Sequence, residues 1–281
     1  MRVNPKLIRI PSTDGVQVAA HDYGGEGLPI ILCHATGFHG RYWDLVCSVL
    51  IKDFHCISLD FRGHGDSQMP SGTSMGWTGM ASDLLSVIDY FNFEKIFGAG
   101  HSMGGTSTLL AERKRPNVFE SLWLFEPIVM PIGPVTEKLS RGNDLAISAR
   151  KRRERFSSRE EAFDRYASRP PFSEVNHDAL RSYVDYGFSD HEEGGVILKC
   201  RGEIEAQVFE NSTTGLFDFL PSIETITRIA GSSDQQGPAQ IAPKIADALP
   251  NGTFELFSGL THFAPMEDPE RVAESISNYI N

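Results

Sequence analysis

The chain has 281 residues, of which 40% are hydrophobic and 22% are charged, a composition that suits one large α/β domain or a domain with an insertion. Its formal net charge of −11 argues against general binding to nucleic acids and against attraction to anionic membranes. The four cysteines form no Cys-x-x-Cys pair, and no apolar run is long enough to span a membrane. Because the N-terminal residues lack the apolar stretch of a secretory signal, we expect a reduced, cytoplasmic protein.

Strand and helix patterns alternate over the first 130 residues. Short runs on either side of Asp14-Gly15 predict a β-hairpin, and continuous apolar runs further along are typical of strands that are buried on both faces. The predicted elements are, in chain order, a hairpin at 6–11 and 16–21, strands at 29–34, 54–60, 95–99 and 121–125, and helices at 41–51, 77–91 and 106–112.

This alternation stops near Met130, and charged helical patterns dominate from 131 to 220. Strands are then predicted again at 224–230 and 253–257, and helices at 239–249 and 269–279. The simplest organisation is an α/β core formed by residues 1–130 and 221–281, interrupted by a mainly helical cap at 131–220. Open α/β sheets bind ligands at the carboxyl ends of their strands, so we expect the cap to cover that edge.

The most informative motif is Gly100-His101-Ser102-Met103-Gly104, which reads Gly-x-Ser-x-Gly. It lies where a strand pattern gives way to a helix pattern, and such a turn holds a serine hydroxyl exposed at the sheet edge. The two glycines lack a Cβ, so strand and helix can approach closely. A turn that Ser102 merely caps is the alternative interpretation of this pentapeptide.

A serine nucleophile needs a base and a carboxylate that orients the base, in the chain order serine, acid, histidine. His262 follows the last predicted strand and is our candidate for the base, although a loop histidine bound to water is the alternative. We favour Asp234, just beyond the strand at 224–230, as the acid. Glu126, at the end of the strand next to the serine strand, is the rival.

The oxyanion of an acyl intermediate needs two N–H donors. The N–H of Met103, the residue after the nucleophile, is the first. The second is expected from the loop at 34–38, where we favour the N–H of Thr36 because Gly37 allows the turn that points it inward. A simple glycine turn between a strand and a helix is the alternative for this loop.

These stretches together resemble the α/β-hydrolase superfamily, and in particular its capped, esterase-like branch. The motifs that carry the resemblance are His34-Ala35-Thr36-Gly37, Asp60-Phe61-Arg62-Gly63-His64-Gly65-Asp66-Ser67, the serine pentapeptide with Gly105, and the segment 259–269 around His262. The resemblance implies a mostly parallel sheet flanked by helices, with an inserted, mainly helical cap.

Three positions depart from patterns within this superfamily. Ala35 stands where the family usually has glycine. Ser102 stands where haloalkane dehalogenases and epoxide hydrolases carry aspartate, which excludes their chemistry. Phe263 stands where hydrolases of carbon–carbon bonds often carry tryptophan.

The sequence therefore predicts a serine hydrolase that cleaves a small or medium apolar carboxylic ester through an acyl-enzyme intermediate, with no metal and no organic cofactor. The same triad could serve a thioesterase, a carbon–carbon bond hydrolase or a cofactor-free perhydrolase. A ligand receptor that kept the pocket and lost turnover is the alternative from another class.

Overall fold

The computed structural model describes residues 3–70, 75–130, 144–212, 215–234 and 237–280. The strands are β1 Lys6–Pro11, β2 Gln17–Gly24, β3 Leu28–Cys33, β4 Phe54–Asp60, β5 Phe97–His101, β6 Ser121–Phe125, β7 Arg155–Phe156, β8 Phe188–Asp190, β9 Val196–Leu198, β10 Ile226–Ser232 and β11 Gly252–Phe257. The helices are α1 Asp44–Leu50, α2 Trp77–Phe91, α3 Met103–Lys114, α4 Asp144–Arg150, α5 Arg159–Ala167, α6 His177–Gly187, α7 Gly202–Glu210, α8 Pro238–Ala248, α9 Ala264–Glu267 and α10 Pro269–Ile280.

Among these residues, eight strands form one sheet in the order β1-β2-β4-β3-β5-β6-β10-β11. The hairpin β1-β2 and the β2-β4 pair are antiparallel, and every other pair is parallel. Strands β5 and β6 are buried at every position, because helices cover both faces of a parallel sheet. This arrangement confirms the predicted α/β fold class.

Each face of the sheet has its own apolar core. One core packs side chains of α2, α3 and α8 against the sheet, among them Leu84, Leu109 and Ile245. The other packs α1 and α10 on the opposite face, through residues such as Val46 and Ile276. The parallel strands therefore all end at one edge between two helical layers, which is where the candidate site residues emerge.

The observed elements differ from the predicted ones mainly at their ends. The strands at 54–60 and 121–125 and the helix at 77–91 have the predicted bounds. The helix predicted at 41–51 begins instead as a 3-10 turn, Gly40–Trp43, which α1 continues. Helix α3 begins at Met103, three residues earlier than predicted, because the chain turns directly from Ser102 into the helix.

A long insertion connects β6 to β10, which are neighbours in the sheet. Its described part contains α4 to α7 and a small sheet in the order β7-β9-β8, which the sequence analysis did not predict. These strands have only two or three residues, too few to show an alternating pattern. The predicted start of the cap at Pro131, and the segment 131–143, lie outside the described residues.

Within the part of the chain that the structure describes, no helix has both the length and the apolar composition needed to cross a bilayer.

Candidate active site

Ser102 lies at the corner between β5 and α3 with φ 54° and ψ −119°, a backbone conformation that residues other than glycine rarely adopt. Its N–H donates to the Phe125 carbonyl oxygen at 2.9 Å, and its own carbonyl oxygen accepts from the Thr106 N–H at 3.1 Å. A side chain on Gly104 would collide with the carbonyl oxygens of Cys33 and His34. The glycine therefore lets the start of α3 pack against the end of β3.

Backbone strain also marks a second residue near this corner. Among the described residues, five non-glycine residues have a positive φ, namely Asp14, Asn92, Ser102, Asn117 and Glu126. Asparagine and aspartate tolerate this region because their short polar side chains bond locally. Ser102 and Glu126 are neither asparagine nor aspartate, so their positive φ indicates a strained backbone. Such backbone strain concentrates at functional sites.

His262 and Glu126 are joined by a hydrogen bond of 2.5 Å between Nδ1 of the ring and Oε2 of the carboxylate. The His262 side chain is 28% exposed, whereas that of Glu126 is 1% exposed. The ring of His262 also lies 4.7 Å from the ring of His101, the residue before Ser102. An imidazole held by a buried carboxylate thus lies beside the serine corner.

Two main-chain contacts fix Glu126 at the carboxyl end of β6. Its N–H donates to the Ala230 carbonyl oxygen at 2.9 Å, and its Oε1 accepts from the Ser232 N–H at 2.7 Å. Burial opposes ionisation of this carboxyl, but the bonds from His262 and Ser232 outweigh burial and lower the pKa of Glu126. The carboxylate is therefore charged and directed at the imidazole.

The structure pairs His262 with Glu126 and not with Asp234, which the sequence analysis favoured. Asp234 is exposed, two residues beyond the end of β10, and its own N–H donates to the Ser232 hydroxyl at 3.3 Å. The sheet order explains the difference, because β6 lies between the serine strand β5 and β10. A carboxylate at the first position after β6 therefore reaches the imidazole directly.

A second carboxylate, Glu267, holds the loop that carries the imidazole, and the sequence analysis missed it. Its oxygens accept from the Thr261 N–H at 2.8 Å and from the Thr261 hydroxyl at 2.5 Å. The insertion contacts the short helix α9 that follows this loop, because the Asn176 N–H donates to the Met266 carbonyl oxygen at 2.9 Å. The sequence feature that could have indicated this role is the position of Glu267, five residues after His262.

His101 is buried behind the imidazole, and its Nδ1 lies 2.8 Å from the Tyr42 hydroxyl. Burial is the main cause that lowers the pKa of His101 well below its ordinary value. His101 is therefore neutral, so no second positive charge opposes one on His262.

The predicted oxyanion loop lies next to the start of α3. Nε2 of His34 accepts from the Phe61 N–H at 3.0 Å, so the ring proton is on Nδ1, which donates to the Ala35 carbonyl oxygen at 2.7 Å. Thr36 is 8% exposed, and Gly37 follows it with φ 79°. Met103 begins α3, where main-chain N–H groups have no partner within the helix.

The insertion packs onto this loop through α6. The Tyr183 hydroxyl donates to the Gly37 carbonyl oxygen at 3.4 Å, and Nε2 of His39 lies 3.1 Å from the Tyr183 carbonyl oxygen. Arg152 of the insertion donates to Glu205 and to the hydroxyls of Tyr166 and Tyr183. The insertion therefore contacts both loops that flank Ser102.

Comparisons with known proteins agree with this fold. The model of the alpha/beta hydrolase family matches residues 30–275. A Streptomyces lividans protein named a non-heme chloroperoxidase is 26% identical over 271 residues, which cover 93% of this chain and 95% of that protein.

Two solved structures show the same fold. One is an esterase from Thermogutta terrifontis, with 24% identity, a TM-score of 0.74 and 98% of each chain covered. The other is an E-2-(acetamidomethylene)succinate hydrolase, with 20% identity, a TM-score of 0.80 and coverage of 98% of this chain and 99% of that one. The chain belongs to the α/β-hydrolase family.

Proposed function

We propose that this protein is a serine hydrolase that cleaves carboxylic esters through the triad Ser102, His262 and Glu126. The observation that carries the proposal is the short bond between the buried Glu126 carboxylate and the ring of His262, beside a strained serine corner. Family membership and relatives named as esterases support hydrolysis as the reaction class. The triad residues and the ester substrate are our own assignment.

In this mechanism the Ser102 hydroxyl attacks the acyl carbonyl while Nε2 of His262 takes its proton. Glu126 keeps the other ring proton on Nδ1 and stabilises the imidazolium that forms. The N–H groups of Thr36 and Met103 bind the developing oxyanion. His262 then returns its proton to the leaving alcohol, and a water molecule deprotonated by His262 releases the acyl group.

We further propose that the insertion acts as a cap over this site. Its α6 contacts the loop of Thr36 through Gly37, and Asn176 contacts Met266 in helix α9, directly after the loop of His262. Both contacts join the insertion to the segments that carry, or directly follow, the proposed catalytic groups. A small or medium uncharged ester would bind between these loops and the insertion.

Substitution of the nucleophile tests the proposal. In Ser102→Ala we expect ester hydrolysis to fall by at least about 10⁴-fold and labelling by a fluorophosphonate to disappear, because no hydroxyl remains to attack. The melting temperature should stay close to that of the unaltered protein. Ser258→Ala, at an exposed loop serine, is the matched control and should keep both activity and labelling. Wild-type turnover in Ser102→Ala would disprove the mechanism.

A second acceptor for the acyl group is hydrogen peroxide, which would make the protein a perhydrolase. The relative named a non-heme chloroperoxidase, which spans nearly the whole chain, favours testing this reaction. An assay with acetate and peroxide measures it directly, and Ser102→Ala should abolish it together with ester hydrolysis.

A further inference from the structure

Aromatic rings from three parts of the chain meet beside the candidate triad. Phe38 follows the loop of Thr36, Phe263 follows His262, and Phe172 comes from the insertion. The ring centroid of Phe172 lies 6.2 Å from that of Phe38 and 5.8 Å from that of Phe263. The ring centroids of Phe38 and Phe263 are 6.2 Å apart. One insertion ring thus touches both catalytic loops.

Two tyrosines complete this aromatic wall, which we define as Phe38, Tyr166, Phe172, Tyr183 and Phe263. Tyr183 stacks on Phe172 at 5.3 Å, and Tyr166 meets Phe172 at 5.1 Å in a T-shaped arrangement. Tyr166, Phe172 and Phe263 are only half-buried, so part of each residue remains accessible to solvent. Such rings bind a further aromatic group edge-to-face or offset.

The charge that the insertion brings to this wall is cancelled within the insertion itself. Nη1 of Arg152 is paired with the Glu205 carboxylate, and Nη2 binds the hydroxyls of Tyr166 and Tyr183 at 3.1 and 2.9 Å. Glu205 also lies against Gly37, where an added side chain would approach its Oε1 to 2.6 Å. Both terminal nitrogens of Arg152 are therefore already engaged, which disfavours bidentate binding of a substrate carboxylate.

We infer that the substrate presents an uncharged aromatic group to this wall, so that aryl-containing esters are preferred over saturated and over anionic ones. The inference rests on the proposed function for its reaction and adds the substrate class. Phe172 is then a specificity-determining residue, because it is a ring of the insertion that contacts both catalytic loops, through Phe38 and Phe263.

The experiment compares kcat/KM for benzyl acetate, cyclohexylmethyl acetate and 4-carboxybenzyl acetate. The first two have rings of the same size and alcohols of similar reactivity, so their ratio isolates the aromatic contact. We expect benzyl acetate to exceed cyclohexylmethyl acetate about 2- to 10-fold, which is the range of an aromatic pair. The carboxylated ester should have the lowest kcat/KM, because its carboxylate would be desolvated at the wall without gaining an ion-pair partner.

Substitution of Phe172 tests where this preference arises. Phe172→Leu should bring the benzyl to cyclohexylmethyl ratio close to one. The matched control is Phe93→Leu, since Phe93 is also half-buried and packs on Phe91 at 5.5 Å, away from the site. The control should keep the wild-type ratio. An equal fall for both esters in Phe172→Leu would indicate a purely structural role and overturn the inference.

The two proposals fail in different ways. A benzyl to cyclohexylmethyl ratio near one in the unaltered protein, or a preference for the carboxylated ester, overturns the aromatic inference. The proposed function still stands in that case if Ser102→Ala loses turnover. If the protein cleaves none of the esters, the proposed function fails. Calorimetric binding of benzyl and cyclohexylmethyl acetate to Ser102→Ala then decides the inference, with tighter binding of the benzyl ester supporting it and equal affinity overturning it.

Discussion

The strand ends of the core and the insertion are held in different ways. At the strand ends, buried side chains bond to main-chain groups, as Glu126 does with Ser232 and His34 with Phe61. In the insertion, ion pairs between partly or largely exposed side chains join helices to one another and to the small sheet. Examples are Arg150 with Glu203 and Glu210, and Arg159 with Asp190.

This difference indicates that the two regions are constrained to different degrees. A side chain fixed to sheet main chain cannot move without disturbing hydrogen bonds of neighbouring strands, so the strand ends suit groups that need one geometry. Exposed ion pairs contribute little energy and tolerate exchange. The exposed ion pairs therefore constrain the insertion less than the main-chain bonds constrain the strand ends.

The largest expected effect separates the two candidate acids. Glu126→Gln should lower kcat by about 10³- to 10⁴-fold, because a neutral amide cannot stabilise the imidazolium, as in other serine triads. The amide oxygen can still accept the bond from the Ser232 N–H, so the fold should persist. Asp234→Asn is the matched control and should remain within about 2-fold of the wild type, since an exposed side chain away from the ring contributes little. A larger loss in Asp234→Asn would reassign the acid.

An intermediate effect concerns buried histidines of the core. Burial lowers the pKa values of His34, His39, His64 and His101, that of His39 to about 4. The unfolded chain therefore takes up protons below pH about 6.5 that the folded chain does not. The stability that depends on neutral histidines is complete above that pH and is lost as pH falls towards the folded pKa values. Each histidine should remove up to about 1.4 kcal/mol from the free energy of unfolding for every pH unit.

Urea unfolding between pH 8 and pH 5 measures this loss. His39→Gln should make the pH dependence shallower, because one proton fewer is taken up on unfolding. A free energy of unfolding that stays constant over this range would show that the core histidines are not held neutral.

The smallest expected effect lies on the insertion surface. Arg150 donates to Glu203 and Glu210 of α7, yet it is solvent-exposed, so water and salt screen the pairs. Arg150→Met should change the melting temperature by only about 2 °C and leave kcat unchanged. A loss of activity comparable to that of Glu126→Gln would mean that catalysis depends on this surface, and the contrast between the two regions would fail.

Local patterns in the sequence determined most of the core. The apolar runs of β4 and β6 and the helical spacing of α2 gave their bounds, because buried strands and amphipathic helices carry strong periodic signals. Glycines around Ser102 marked the strained corner. The short strands of the insertion carried no comparable signal, since two or three residues cannot show a period.

Which carboxylate bonds to His262 depended on tertiary structure alone. Glu126 and Asp234 both follow strands, and the local sequence favoured Asp234 as the acid. The order in which β5, β6 and β10 lie in the sheet, and the bond from Ser232 that turns Glu126 toward His262, brought one of them to the ring. The aromatic wall likewise joins residues distant in the chain, and only packing of the insertion on the core brings such rings into contact.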